Sequence, residues 1–304
     1  MTNHVPQGVT TAEKAHRQPG KRTESASAAR ERVFWGRVLV GIGLCFSVGC
    51  PSSSEVKNDT PTQLSAVQLP SDPAALIKLA DEQFALGGVG YRNAQLTMEK
   101  ALSDADWAKQ KAAFDAHFRL ARAVAEQCAV DEGGACQASL AKATESAHRA
   151  NELSPERVEG HYYLAQLIGF AAQTQRGADV KPLLNQLVSE AEAAIKIDEK
   201  FDSAGPLRML GTVYTRAPAP PVALGDPEKG VQLLQRACAA VPDHPLNYIY
   251  LADALFADER FQDAEASVQK ARRLLADTKW NNRRMEWKEV LSRVERKLKA
   301  KQGQ

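Results

Sequence analysis

Aromatic side chains make up only 6% of the 304 residues, and no long β-branched alternation of the kind that marks strands occurs. A sheet core leans on such residues, whereas the Ala-rich composition suits closely packed helices, so the expected fold class is all-α. Charge of one sign is also lacking. The 39 Lys and Arg against 37 Asp and Glu leave a formal +2, much of it near the N-terminus, which excludes the pronounced basic surface of a nucleic-acid protein. The apolar run Val38–Val48 is about half of the roughly 20 residues that span a bilayer. Gly87–Gly90, "GGVG", has neither the Lys-Ser/Thr that follows a phosphate loop nor a strand before it. No Ser-centred nucleophile elbow is present, and His148 and His244 lack His, Cys or Asp neighbours at metal spacing. Asp104 and Asp106 read as solvated turn residues, and His117 and His161, each three residues before a Leu-Ala pair, as structural histidines. The expectation is a non-enzyme without metal or cofactor.

What is present begins with an address. Lys21, Arg22, Arg30, Arg32 and Arg37 precede the apolar run, and Gly49 stands directly before Cys50, the layout of a cleavable signal. Phe46-Ser47-Val48-Gly49-Cys50 resembles the bacterial lipobox, with Ser47 where Leu is usual. That resemblance implies that Cys50 is acylated and becomes the first mature residue; an ordinary secretory signal is the alternative. Residues 1–49 are then a lipoprotein-type signal peptide and 50–71, opening with Pro51-Ser52-Ser53-Ser54, a flexible tether. The expected location is the periplasmic face of a bacterial cell envelope, with the lipid as the sole membrane contact. Pro51 in place of an Asp retention mark points to the outer rather than the inner membrane. Of the remaining cysteines, Cys128 and Cys136 flank "AVDEGGA" and either pair as a disulfide or stand as two buried thiols. Cys238 reads as a small core residue.

An internal repeat organises the rest. Leu79-Ala80, Leu120-Ala121, Leu164-Ala165, Leu210-Gly211 and Leu251-Ala252 recur at intervals of 41, 44, 46 and 41 residues. A second helical pattern follows each pair, with small residues seven apart: Ala94 and Ala101, Ala143 and Ala150, Gly230 and Ala237, Ala264 and Ala271. Seven residues is about two turns, so both face one way and let two helices approach closely. The third unit keeps Ala194 with Leu187 as its partner.

These positions resemble the tetratricopeptide repeat, with its Leu-Gly or Leu-Ala pair in helix A, its alanines in helix B and its closing proline, here Pro155 and Pro242. The resemblance implies a right-handed α-solenoid of five helix hairpins over residues 72–276, with 277–304 as an amphipathic capping helix and tail. Units two, three and four exceed the usual period, and the excess is expected between helices A and B, in "DEGGA", "TQRGADVKP" and "RAPAPPVALGDPEKG". Such insertions form a lip over a groove, a homo-oligomer contact or plain surface loops. Long-insert repeats behind a lipobox also resemble the TatT family, the T-components of tripartite ATP-independent periplasmic (TRAP) transporters. That resemblance implies an accessory lipoprotein that binds a small organic ligand and a transporter binding protein. The alternative is a protein–protein scaffold for envelope assembly or secretion, with another envelope protein as partner.

Binding in tetratricopeptide domains uses the concave face, lined by helix A. Counting from the Leu-Ala pairs, that face carries Phe118, Arg122 and Glu126, then Tyr162, Gln166 and Phe170, then Arg208, Thr212 and Arg216, and finally Ile249, Asp253 and Phe256. Guanidinium groups beside aromatic rings suit a carboxylate on an apolar body. The groove is expected to be covered if Pro218, Pro220 and Pro221 fold over it, and open if they point away.

Overall fold

A computed structural model describes residues 69–130, 135–174, 180–220, 223–281 and 283–303. The signal segment, Cys50 and residues 50–68 of the tether lie outside them, as does Pro221. The described residues form eleven α-helices and no strand: α1 Pro73–Ala85, α2 Val89–Ala101, α3 Phe114–Val130, α4 Ala135–Leu153, α5 Val158–Thr174, α6 Val180–Asp198, α7 Phe201–Arg216, α8 Pro227–Ala240, α9 Pro245–Ala257, α10 Phe261–Leu275 and α11 Arg284–Gln302. Helices pair as antiparallel hairpins in sequence order and stack into a right-handed α-solenoid, with α11 packed on α9 and α10 as the cap. None of the described helices is long and apolar enough to cross a membrane.

Local chemistry places the boundaries. Proline occupies the first turn of α1, α8 and α9, where its missing N–H has no intrahelical role. The carboxylates of Asp72 and Asp226 accept the N–H of Ala75 and Lys229 at 2.9 and 3.0 Å, satisfying donors that a helix start leaves exposed. Between α1 and α2 the chain turns on Gly87 and Gly88, both at positive φ, where a side chain would be strained.

The seven-residue pattern of small side chains is the hairpin seam. Ala94, Ala101, Ala143, Ala150, Ala194, Ala237, Ala264 and Ala271 are all buried, as is Leu187. In the fourth hairpin both helices carry glycine at the crossing. A Cβ on Gly230 would lie 2.9 Å from the Gly211 carbonyl oxygen and 2.3 Å from Thr215 Oγ1, and one on Gly211 would lie 2.7 Å from Leu234 Cγ. The Leu-Gly pair of that unit thus answers a contact too close for the methyl group that other units use.

The long repeats correct one expectation. Their added length lies largely in the helices, not in the connections: α3 and α5 have 17 residues and α4 and α6 have 19, against 13 each in α1 and α2. Ala135, Val180, Lys181 and Pro182, placed in insertions by the sequence, are helical. Only the fourth unit has a long connection, 217–226. Its Ala223 and Leu224 pack against the core, and Gly225 N–H donates back to the Pro218 carbonyl at 2.8 Å.

Candidate functional site

The inner face is built from the first helix of each hairpin, and it holds a cleft of about 190 Å³. From α3 come Ala125, Glu126 and Ala129; from α5, Tyr162, Gln166 and Phe170; from α7, Asp202, Gly205, Arg208, Met209 and Thr212. His244, just before α9, joins with Leu246 and Tyr250, and the cap closes the far side with Arg283 and Trp287. No described residue of the 217–226 connection lines the cleft.

Six residues expected on the concave face meet in this cleft: Glu126, Tyr162, Gln166, Phe170, Arg208 and Thr212. The other expected residues are used inside the fold. Phe118 is buried, its ring stacked on Tyr163 at 6.5 Å. Arg122 donates to Asp81 Oδ1 at 2.6 Å and lies 3.9 Å from the centre of the Phe84 ring. Arg216 pairs with Asp253 at 2.6 Å, Ile249 is buried, and the Phe256 ring packs against Phe261. Counting along helices does not find Asp202, His244, Tyr250, Arg283 or Trp287: His244, Arg283 and Trp287 lie outside the helix-A stretches, Asp202 sits in a left-handed turn that breaks the helical count, and the Tyr250 ring sits beside the counted stripe. The run Trp280 to Trp287, dense in Arg and Trp, was the available signal.

A left-handed turn sets the geometry of one wall. Asp202, Ser203 and Ala204 have φ of 47°, 55° and 66°, a conformation costing an L-residue roughly 1–2 kcal/mol each. Contacts from three hairpins hold it there. The Tyr162 hydroxyl donates to Asp202 Oδ2 at 2.6 Å, Arg208 donates to the Ser203 carbonyl at 3.0 Å, and Asn247 Nδ2 donates to the same carbonyl at 3.3 Å. Gly205 follows because the Tyr162 hydroxyl lies 2.5 Å from where its Cβ would be. Backbone strain held by surrounding contacts is characteristic of sites that must present a fixed shape.

The charges of the cleft are unequally matched. Arg283 holds Glu286 through two hydrogen bonds, 2.9 and 3.1 Å. Arg208 is taken up by Asn247 Oδ1 at 2.9 Å, the Ser203 carbonyl and the Asp202 carboxylate at 3.4 Å. Among the described residues Glu126 has only Arg283 Nη2, at 3.8 Å, beyond hydrogen-bonding distance. Burial, with Asp202 and Glu286 adding repulsion, pushes its carboxyl up to about 7 against the opposing pull of Arg283 and Arg208. Burial, aided by Arg208, brings His244 down to about 3, so its ring is neutral; it packs edge-on to Trp280 and Trp287 at 5.0 and 5.1 Å. His244 Nδ1 and Trp287 Nε1 are buried without a hydrogen-bond partner among the described residues.

His117 and His161 make contacts within the helix packing. His117 Nδ1 sits 2.8 Å from Ser146 Oγ, and His161 Nδ1 sits 2.7 Å from Glu190, which raises its pKa. Cys128 and Cys136 form a disulfide, Cα–Cα 5.0 Å, joining the end of α3 to the start of α4. Among the described residues no three His, Cys, Asp or Glu side chains are grouped to hold a metal ion.

A stack of helix hairpins with a small polar and aromatic cleft on its inner face defines a tetratricopeptide-type solenoid. A solved structure agrees on the fold. The chain is similar to TTC0263, a thermophilic TPR protein of Thermus thermophilus, at 19% identity and a TM-score of 0.54, covering 72% of this chain and 100% of that one. It also aligns with yeast Tom70 at 16% identity and a TM-score of 0.32, covering 76% of this chain and 54% of that one. No protein-family model matches the chain. No curated protein matches it either.

Proposed function

We propose that this protein is a non-enzymatic binding module, exported and held at the bacterial envelope by a lipid on Cys50, that grips another envelope protein through its inner face. The observation that carries the reading is the cleft itself, walled by the first helices of four successive hairpins and by the cap. Its volume lies below the roughly 300–1,000 Å³ of pockets that enclose drug-sized ligands. That size suits one side chain or chain end of a bound protein, and no described residue of the 217–226 connection covers the cleft wall. Small-molecule handling of the TatT kind is the second reading. It is favoured by the buried, unpartnered Trp287 Nε1 and His244 Nδ1, which offer fixed polar contacts beside aromatic walls.

The test uses the full chain expressed in a bacterial host with an alkyne-tagged fatty acid, and a photo-crosslinking residue at Gln166 in the cleft or at Lys142 on the outer helix α4. The expected result is lipid label that disappears in Cys50→Ala and a cross-linked protein obtained from position 166 alone. Label that survives Cys50→Ala removes the anchor, and equal cross-linking from both positions removes the cleft as the grip. A small co-purifying mass in native mass spectrometry, without any cross-linked protein, moves the reading to ligand handling.

A further inference from the structure

The charge balance of the cleft tells against the carboxylate that the arginines of the sequence suggest. Both arginines in its wall are already bonded within the protein, Arg283 to Glu286 and Arg208 to Asn247 and the left-handed turn. The Asp202 carboxylate accepts the Tyr162 hydroxyl and faces Arg208. What is left over is an acid: Glu126 opens into the cleft, retains 21% of its side-chain exposure, makes no hydrogen bond to a described residue and is a carboxylate above about pH 7. An anion entering here would meet that carboxylate and two guanidinium groups already bonded to Glu286, Asn247 and the left-handed turn, whereas a cation would pair with Glu126.

We propose that the cleft recognises an organic cation, an ammonium or guanidinium group on a short apolar stem, with the Glu126 carboxylate receiving the charge and the rings of Tyr162, Phe170, Tyr250 and Trp287 enclosing it. This rests on the cleft being the binding site. Aromatic faces attract a desolvated cation, and a carboxylate among them supplies the charge-assisted hydrogen bond. Arg283 shows the chemistry in place, its guanidinium 5.8 Å from the Trp287 ring centre and 3.8 Å from Glu126. The space, about 190 Å³, is of a size for one such head group. The cation comes either from a lysine or arginine of the bound protein or from a small amine.

The full chain, extracted in mild detergent, is titrated by calorimetry with three probes: phenethylammonium, 3-phenylpropionate as its anionic counterpart, and a blocked Gly-Lys-Gly peptide. Phenethylammonium or the peptide should bind saturably to the wild type and at least tenfold more weakly to Glu126→Gln, whose fold is checked by circular dichroism; phenylpropionate should not bind. Preference for the peptide assigns the cation to a partner's side chain, and preference for the amine assigns it to a small molecule. Equal binding of the cations by Glu126→Gln, tighter binding of phenylpropionate, or no binding of any probe overturns the proposal. The cross-linking at Gln166 judges the cleft itself separately, so loss of the cation assignment does not by itself remove the binding reading.

Discussion

Arg216 and Asp253 meet in the interior between the fourth and fifth hairpins, 2.6 Å apart, and Lys297 of the cap reaches the other carboxylate oxygen. Three elements thus share one buried charge, since the Asp253 side chain is only 5% exposed. The pairing joins the last two hairpins and the cap into one unit.

Burial alone would raise the Asp253 pKa, but Arg216 and Lys297 overcome it and bring it down to about 2. An acid with a depressed pKa stabilises the fold above its unfolded value of 3.8 and loses that contribution as pH falls towards 2. Asp253→Asn should cost about 3 kcal/mol at pH 7, because two cations then face no carboxylate, and the difference from wild type should shrink between about pH 4 and pH 2. Urea unfolding at a series of pH values checks both; a variant as stable as wild type at pH 7 contradicts the pairing.

The sign reverses at Glu126. Its pKa is raised from 4.5 to about 7, chiefly by burial, with Asp202 and Glu286 adding to it and Arg283 and Arg208 opposing. Tyr91 and Tyr163 are the further titrating groups that feel its charge. Ionising it in the folded state is unfavourable, so stability should fall as pH rises from about 4.5 through 7. Glu126→Gln should therefore match wild type near pH 4 and exceed it by up to about 3 kcal/mol at pH 8. Thermal melts at the two pH values read this directly, and equal melting shifts at both would refute it.

Gly230 leaves no room for a side chain at its crossing with Gly211. Gly230→Ala should destabilise by about 2 kcal/mol despite the better helix propensity of alanine, because the methyl group forces α7 and α8 apart. A gain in stability would show that the crossing has slack.

The thiols should divide by environment. Reducing the Cys128–Cys136 bridge, whose partners are eight residues apart, should lower stability by roughly 2–3 kcal/mol. Cys238 is buried and its thiol is pushed up to about 12 by burial, so it should resist alkylation at pH 8 in the folded protein and react on unfolding. Mass spectrometry after alkylation under native and denaturing conditions checks the contrast.

Much of the scaffold was legible because it rests on near neighbours in sequence. Leu79-Ala80 and its counterparts, the small residues seven apart and the amphipathic run after Trp280 report helix faces, and a face depends on residues within two turns. The site was half legible. Tyr162, Gln166, Phe170, Arg208 and Thr212 follow from counting along helix A, as does Glu126. Arg122 obeys the same count, yet Asp81 of the preceding hairpin engages it, and Arg216 is taken by Asp253 of the following one. Spacing places a side chain on a face but does not say whether the next hairpin presents a partner for it.

The sequence by itself determined the class of this protein, a stack of helix hairpins with a cap, since helix periodicity and small-residue seams are local properties that stacking merely repeats. Only the tertiary structure decided what the inner face offers. The left-handed turn at Asp202–Ala204 exists because Tyr162, Arg208 and Asn247, from three different hairpins, hold it. Arg283 reaches Glu126 only because the solenoid's curvature returns the cap to the second hairpin. The balance of charge in the cleft is a sum over groups distant in the chain, and it turns a stretch that reads as rich in arginine into a site with one carboxylate to spare.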